Sequence, residues 1–410
     1  MNSPAGGDGD MGMRGEFRRS WRELVGATIG LACGVGMYTP ITSMFFRALE
    51  AEFGWSKTAL AFGLLALPLT GIALPFAGRL IDRFGVRPVA AISAAAMAAS
   101  FFYLSVIGPS LAAFYIGFIG FNLLGCATGP IAYTRPVAAR FSASKGAAIA
   151  IALSGISISG ILLSPLLGNL LAHGGWRAGY QLLAAIALIG GLAAVWLIRP
   201  TDGAARVAAA DGIERREAIR TLEFWQFGAA IFLAGAASVG FVSQLQSVAI
   251  EYGAPAERSG ILLAILALSV LVFRVMAGWS LDRFSPGITA ACFFIASGLG
   301  LGIWLLPHGS MALAILGTLA LGLSVGSEHA FISFFCARLF GMKAYSAIFG
   351  GLAVFLYFGM AGGGIVFARS RDLSGSYSIA IIGAIIGLVV AGVLIAALPG
   401  RIGSPAPQEQ

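Results

Sequence analysis

Charge is what this chain has least of. Aspartate, glutamate, lysine and arginine together make up 11% of its 410 residues, while 58% are hydrophobic and the mean hydropathy is +0.89. Soluble domains carry about 25% charged and about 45–50% apolar residues, so this balance excludes one. Cysteine is scarce as well. Cys33, Cys126, Cys292 and Cys336 all lie inside apolar runs, away from any loop where a disulfide would form, and read as unpaired packing residues. Only three histidines are present and no metal-ligand spacing occurs. No nucleophile and base stand at a catalytic spacing either, and Gly362-Gly363-Gly364 lies inside a span without the Lys-Ser/Thr that a phosphate loop needs. An enzyme, a bound metal or cofactor, and an ATP-driven pump are therefore not expected. The formal charge of +8 comes from basic residues scattered singly, which is a topology signal and not a nucleic-acid face.

Glycine, by contrast, is abundant: 57 residues, about twice the usual share of roughly 7%. Small residues let membrane helices approach closely. Apolar runs bounded by glycine, proline and charge predict twelve spans, at 24–46, 58–80, 88–108, 111–136, 146–171, 178–198, 223–250, 259–281, 287–306, 311–336, 345–368 and 377–398. Twelve spans of about 20 residues use roughly 240 and leave no room for a large soluble domain. Placing the N-terminus in the cytoplasm puts 19 of the 26 lysines and arginines on that side, as the positive-inside rule asks, and the even count returns the C-terminus there. The tail 1–22 ends in Arg14, Arg18, Arg19 and Arg22 and lacks the small-residue cleavage site of a signal peptide, so it is expected to be retained. The predicted organisation is a cytoplasmic tail at 1–22, a six-helix bundle at 23–198, a cytoplasmic linker at 199–221, a second six-helix bundle at 222–398 and a cytoplasmic tail at 399–410.

The two halves repeat. Gly78-Arg79-Leu80-Ile81-Asp82-Arg83-Phe84-Gly85 after span 2 returns as Gly278-Trp279-Ser280-Leu281-Asp282-Arg283-Phe284-Ser285 after span 8, and Arg140 and Lys145 after span 4 return as Arg338 and Lys343 after span 10. Both echoes fall at the same depth of their halves, so the repeat is parallel, the arrangement of major facilitator transporters. Residues 78–87 resemble that superfamily's loop signature, roughly G-x-L-x-D-R-x-G-R-[RK], at Gly78, Leu80, Asp82, Arg83, Gly85 and Arg87; the second copy is weaker. The resemblance implies an all-α membrane protein of twelve helices in two bundles, working as a single chain. It also implies gating contacts at Asp82 and Arg83 and at their repeats Asp282 and Arg283. The alternative is that these residues only cap turns at the water interface.

A narrower resemblance covers most of the N-terminal half. Phe53-Gly54-Trp55-Ser56, Arg140-Phe141 with Lys145-Gly146-Ala147, Ser154-Gly155 with Gly160 and Pro165, and Gly175-Trp176-Arg177 are similar to the monocarboxylate transporter and oxalate/formate antiporter branch. In the C-terminal half Arg274, Gly326-Ser327-Glu328 and Arg338-Leu339-Phe340-Gly341 match it. There are departures: Val270 stands where the branch often has aspartate, Gln244 where it often has a span 7 histidine, and span 11 lacks the oxalate exchanger's lysine.

An ionisable group at bilayer depth costs about 2.5–3.5 kcal/mol even on the lenient scale, so each one needs a reason. Arg274 lies eight residues before Asp282, about 12 Å from the end of span 8, and its repeat position holds Leu74. An arginine the repeat does not require is suited to hold a carboxylate through two parallel hydrogen bonds, as the resemblance also implies; the alternative is a structural pair with Glu328. Glu328 and His329, mid-span 10, are the candidate proton carriers, with Glu328 first, unless Glu328 is a fixed counter-ion and His329 a packing residue. Tyr38, Asn122, Tyr133, Ser154, Ser157, Ser164, Gln244 and Ser247 are uncharged polar residues in apolar runs. Of these Tyr38, Asn122, Tyr133, Gln244 and Ser247 are candidate cavity residues, although a membrane hydroxyl more often bonds a neighbouring backbone. Tyr133, ahead of Pro136, resembles the binding tyrosine of the oxalate exchanger. Arg135, two residues on, is expected to snorkel to the cytoplasmic water, or else to form an inner anion contact.

The expectation is an inner-membrane secondary transporter of a small organic monocarboxylate, coupled to a proton. Its rivals are an anion exchanger of the oxalate/formate type, a drug/proton antiporter, whose span 5 motif Ser164-Pro165-Leu166-Leu167-Gly168-Asn169 fits poorly, and a non-transporting acid receptor.

Overall fold

The computed structural model describes residues 7–55, 57–63, 66–199, 212–253, 261–306 and 310–399. The regular elements of those residues are helices; the one β-bridge joins Gly212 to Gly341. Among the described residues ten helices are long and apolar enough to cross a membrane, or eleven if the bent pair Gly15–Thr39 and Met44–Phe53 counts as one span. The ten match predicted spans 3 to 12, and the bent pair matches span 1. Span 2 comes as two helices, Lys57–Phe62 and Ala66–Phe84, on either side of residues 64 and 65. Most of the expected linker, 200–211, and the tail from 400 lie outside the described residues.

The chain divides into two compact units, one of Met1–Ala210 with Met342–Gly350, the other of Asp211–Gly341 with Gly351–Gln410. Large apolar side chains such as Ile161, Ile189, Ile365 and Ile379 stand exposed on the helices, which is affordable only where the surrounding solvent is lipid.

In the first unit the helix Lys145–Leu197 runs through spans 5 and 6 and turns at Gly175, whose φ of 74° is the left-handed conformation that favours glycine. Its core is aromatic. Tyr38 packs against Phe45, Phe101, Phe118 and Phe121, and its hydroxyl meets that of Tyr180 at 2.8 Å. Gly155 sits so close to the Thr28 carbonyl that a Cβ would collide with it. In the second unit Gly359 and Gly363 of span 11 lie equally close to the carbonyls of Phe232 and Ala236 in span 7. Close packing is thus what these glycines permit, while Gly362 between them faces open space.

Each unit ties the C-terminal end of its first span to its last hairpin. In the first, Glu52 accepts from Arg177 at 2.6 Å and from the Trp176 indole at 2.5 Å. In the second, Glu251 pairs with Arg371 at 3.0 Å and accepts the Tyr377 amide at 3.2 Å. In both cases the arginine also lies over the aromatic ring, Trp176 or Tyr377.

Candidate functional site

Two helices of the first unit are broken next to each other. Span 1 leaves the α-helix after Ala32 and resumes as a 3-10 turn at Val35–Ile41, and span 4 stops at Gly125, turns through Cys126–Thr128 and restarts at Pro130–Arg140. Proline in the first turn suits the restart, since its missing N–H would have no partner there. The breaks satisfy each other: Thr128 Oγ1 accepts the Val35 amide at 2.9 Å, and Gly34 abuts the Thr128 carbonyl where no Cβ would fit. Unwound backbone at membrane depth is tolerated only where protein or a cavity receives it, and discontinuous helices line transporter sites.

Tyr133 stands one turn past the break in span 4, fully buried, with its ring packed on Gly30 of span 1. Its hydroxyl has no hydrogen-bond partner among the described residues. A buried donor left in that state costs about 1–3 kcal/mol, which fits a group held for a ligand. The other candidates of this unit are engaged. Tyr38 is closed in the aromatic core by Tyr180, and Asn122 donates to the Phe118 carbonyl of its own helix at 2.9 Å. Ser154 and Ser164 likewise donate to carbonyls four residues back.

In the second unit the face made by Gly322 and Gly326 lets span 10 approach span 8, with Gly322 against Ser269 and Gly326 against the Val270 carbonyl. That approach buries Arg274, whose Nε donates to the Gly326 carbonyl at 3.3 Å. Glu328, 1% exposed, accepts from Ser324 at 3.2 Å and from Ser238 of span 7. Ser238 and Ser324 are themselves 2.6 Å apart. The carboxyl is therefore met by hydroxyls from two helices, a setting in which it can hold or release a proton while keeping a partner. His329 is partly buried and near enough to Arg274 to feel its charge. Gln244 accepts from the Tyr377 hydroxyl at 3.1 Å, and Ser247 is exposed.

Of the gate candidates, Asp82 is the most engaged. It accepts from Arg135 at 2.5 Å, from the Ser346 amide at 3.2 Å and from the Ala347 amide at 2.8 Å. Burial pushes its carboxyl above the usual range, while Arg135 and the two amides pull it back. Arg135 thus does not snorkel: it is spent on this carboxylate, and both side chains are 13% exposed. Arg83 and Arg283 are exposed and rest on the rings of Phe84 and Trp279. Asp282 is partly buried.

Two carboxylates escaped the sequence reading. Glu23, fully buried, lies 3.3 Å from Arg140 and 3.7 Å from Arg199, joining the ends of spans 1, 4 and 6. Glu16 accepts from Ser142, Ala143 and Ser144 and so caps the start of span 5. One signal was available: Glu16 and Glu214 lie 198 residues apart, the same interval as Arg140 and Arg338.

Comparison with known proteins places this geometry in context. The model of the Major Facilitator Superfamily matches residues 24–364. Among curated relatives, an uncharacterized MFS-type transporter of Bacillus subtilis (strain 168) is 28% identical over 42% of this chain and 43% of its own length. Monocarboxylate transporter 11 of Homo sapiens is 27% identical over 68% of this chain and 58% of its own length. The chain thus spans only about two fifths to three fifths of the length of these two relatives. Among solved structures, the E. coli fucose:proton symporter superposes with a TM-score of 0.71 at 17% identity, covering 93% of this chain and 98% of that one. A human organic anion transporter gives 0.64 at 15% identity, covering 93% and 99%. At such identities the likeness is one of fold.

Proposed function

The chain belongs to the major facilitator superfamily, and from that we propose that it is a secondary transporter of a small organic monocarboxylate, carried with a proton by alternating access. The observation that supports this most is Arg274, a guanidinium buried in the middle of an apolar span on the same helix pair as a buried carboxyl. In this reading Arg274 holds the substrate carboxylate, and Tyr133 of the first unit, whose hydroxyl has no partner among the described residues, is a further candidate for substrate binding. Glu328 carries the proton, with His329 as its second. Importing a monoanion against an inside-negative potential costs about 2.3 kcal/mol per 100 mV, and one cotransported proton cancels that term. The name of the human relative supports the substrate class. Asp82 with Arg83, and Asp282 with Arg283, are the proposed gate elements. The bundles 23–198 and 222–398, the cytoplasmic termini and the cell membrane location belong to the same proposal.

The absence of any lysine between 345 and 368 favours one carboxylate over two. The rival is exchange of organic anions, and one experiment separates them. Labelled short monocarboxylates are offered to proteoliposomes with and without an inward proton gradient, against unlabelled mono- and dicarboxylates. Uptake driven by the gradient and competed by monoacids supports symport. Uptake that ignores the gradient and needs preloaded anion makes the protein an exchanger, and no saturable uptake of any acid overturns the carboxylate reading.

A further inference from the structure

The first unit carries a crevice that no step of transport uses. Its volume is about 480 Å³, and it opens where the loop after span 2 meets the end of span 6, with Phe84, Arg87 and Ala91 on one side and Val195 and Ile198 on the other. That volume lies within the range of small-molecule sites.

Its electrostatics are one-sided. None of its described lining residues is acidic, and Arg87 is its one charged residue. Arg87 gives its Nε to the Val195 carbonyl at 3.1 Å, which fixes the guanidinium against the end of span 6 and leaves both amino groups without a hydrogen bond among the described residues. The neighbouring arginines are occupied otherwise: Arg199 faces Glu23, and Arg22 lies over the Trp196 ring at 5.6 Å. The rim is apolar and faces outward, since Phe84 is more than half exposed, as is Trp196, which stands in sequence between the lining residues Val195 and Ile198. Aromatic side chains at the ends of apolar spans lie at the headgroup level of a bilayer.

We propose that this crevice binds the headgroup of one anionic phospholipid, with Arg87 holding its phosphate and Phe84 and Trp196 flanking the upper acyl chains. A fixed guanidinium matches phosphate through two parallel hydrogen bonds, and basic recesses between membrane helices are suited to anionic headgroups. The proposal is independent of what the protein transports.

The test is native mass spectrometry of the full chain released from bilayers of mixed phosphatidylglycerol and phosphatidylcholine. One phosphatidylglycerol is expected to stay per chain, with no matching phosphatidylcholine. R87Q should weaken its retention about fivefold, the value of one basic contact near a membrane, whereas R87K keeps the charge without the fork and should recover only part of it. Ala91→Leu narrows the crevice without touching charge and should weaken retention too; it carries the test should R87Q fail to fold. Arg79, exposed on the preceding helix Ala66–Phe84 and outside the crevice, serves as the control. Equal loss in R79Q would reduce the effect to general surface charge, and equal retention of phosphatidylcholine would make the crevice merely apolar. Displacement of the lipid by inorganic phosphate at millimolar level would assign the site to the free ion. Any of the three overturns the proposal.

Discussion

Arg135 and Asp82, 53 residues apart in sequence, form an ion pair at 2.5 Å with each side chain only 13% exposed. Breaking such a pair on one side leaves the other charge buried, which costs more than the pair itself contributes. Asp82 is already pushed up by burial, so its charged form weighs on the fold as pH rises through that raised value. Removing Arg135 raises it further. R135Q is therefore expected to lose about 2–3 kcal/mol at pH 8, and progressively less as pH falls through the raised value of Asp82. Adding D82N should restore part of the loss. Thermal melts of the purified chain across pH check this, and a double variant less stable than R135Q alone would refute it.

The Glu16 cap has the opposite pH signature. Burial raises its carboxyl, but the hydrogen bonds from Ser142, Ala143 and Ser144 outweigh that and hold it at about 2. Because its folded value lies below the ordinary 4.5, the stabilisation is complete above the ordinary value and is lost as pH falls toward 2. E16A should therefore lower the melting temperature at pH 7 and matter progressively less below pH 4. A melting difference independent of pH over that window would show that the cap does not act through the charged carboxylate.

The two ties at Glu52 and Glu251 differ in burial, and so should their weights. Glu52 and Arg177 are 40% and 46% exposed, whereas the Glu251 side chain of the second tie is 19% exposed. Exposed pairs contribute about 0–1 kcal/mol and are screened by salt. E52Q should shift the melting temperature little, and not at all in high salt, while E251Q should cost more and keep its effect in salt. Equal, salt-sensitive losses would assign both ties to the surface.

What the sequence disclosed followed from local pattern. Hydropathy placed the spans, and the echo of Gly78–Gly85 in Gly278–Ser285 exposed the repeat, because both signals sit in adjacent residues. What it concealed was pairing at long range. Arg135 read as a snorkelling residue because its depth was visible and its partner, 53 positions away, was not. Glu16 lies in a charged segment that reads as tail, and nothing in that segment marks the loop it caps. Tyr38 read like Tyr133, a tyrosine in an apolar run. Only packing separates the first, satisfied by Tyr180, from the second, whose hydroxyl lacks a partner among the described residues. The break in span 4 has a local signal in Gly129-Pro130, but nothing in the sequence shows that it answers the break in span 1 through Thr128 and Val35.

Arg274 and Glu328 offer the sharpest separation of roles. If Arg274 holds the substrate, R274Q removes charge-assisted bonds worth about 1.5–3 kcal/mol each, so uptake and exchange should both fall by about tenfold or more. R274K keeps the charge but not the planar fork and should recover only part. If Glu328 carries the proton, E328Q keeps a group that Ser238 and Ser324 can still bond, so the protein stays folded. It should lose uptake driven by the pH gradient while still exchanging labelled for unlabelled acid at equal concentrations. A fixed counter-ion behaves otherwise: its loss would weaken binding, so exchange and driven uptake would fall together. Measuring both fluxes in one E328Q preparation decides between these outcomes, and full driven uptake there would remove Glu328 from the coupling step altogether.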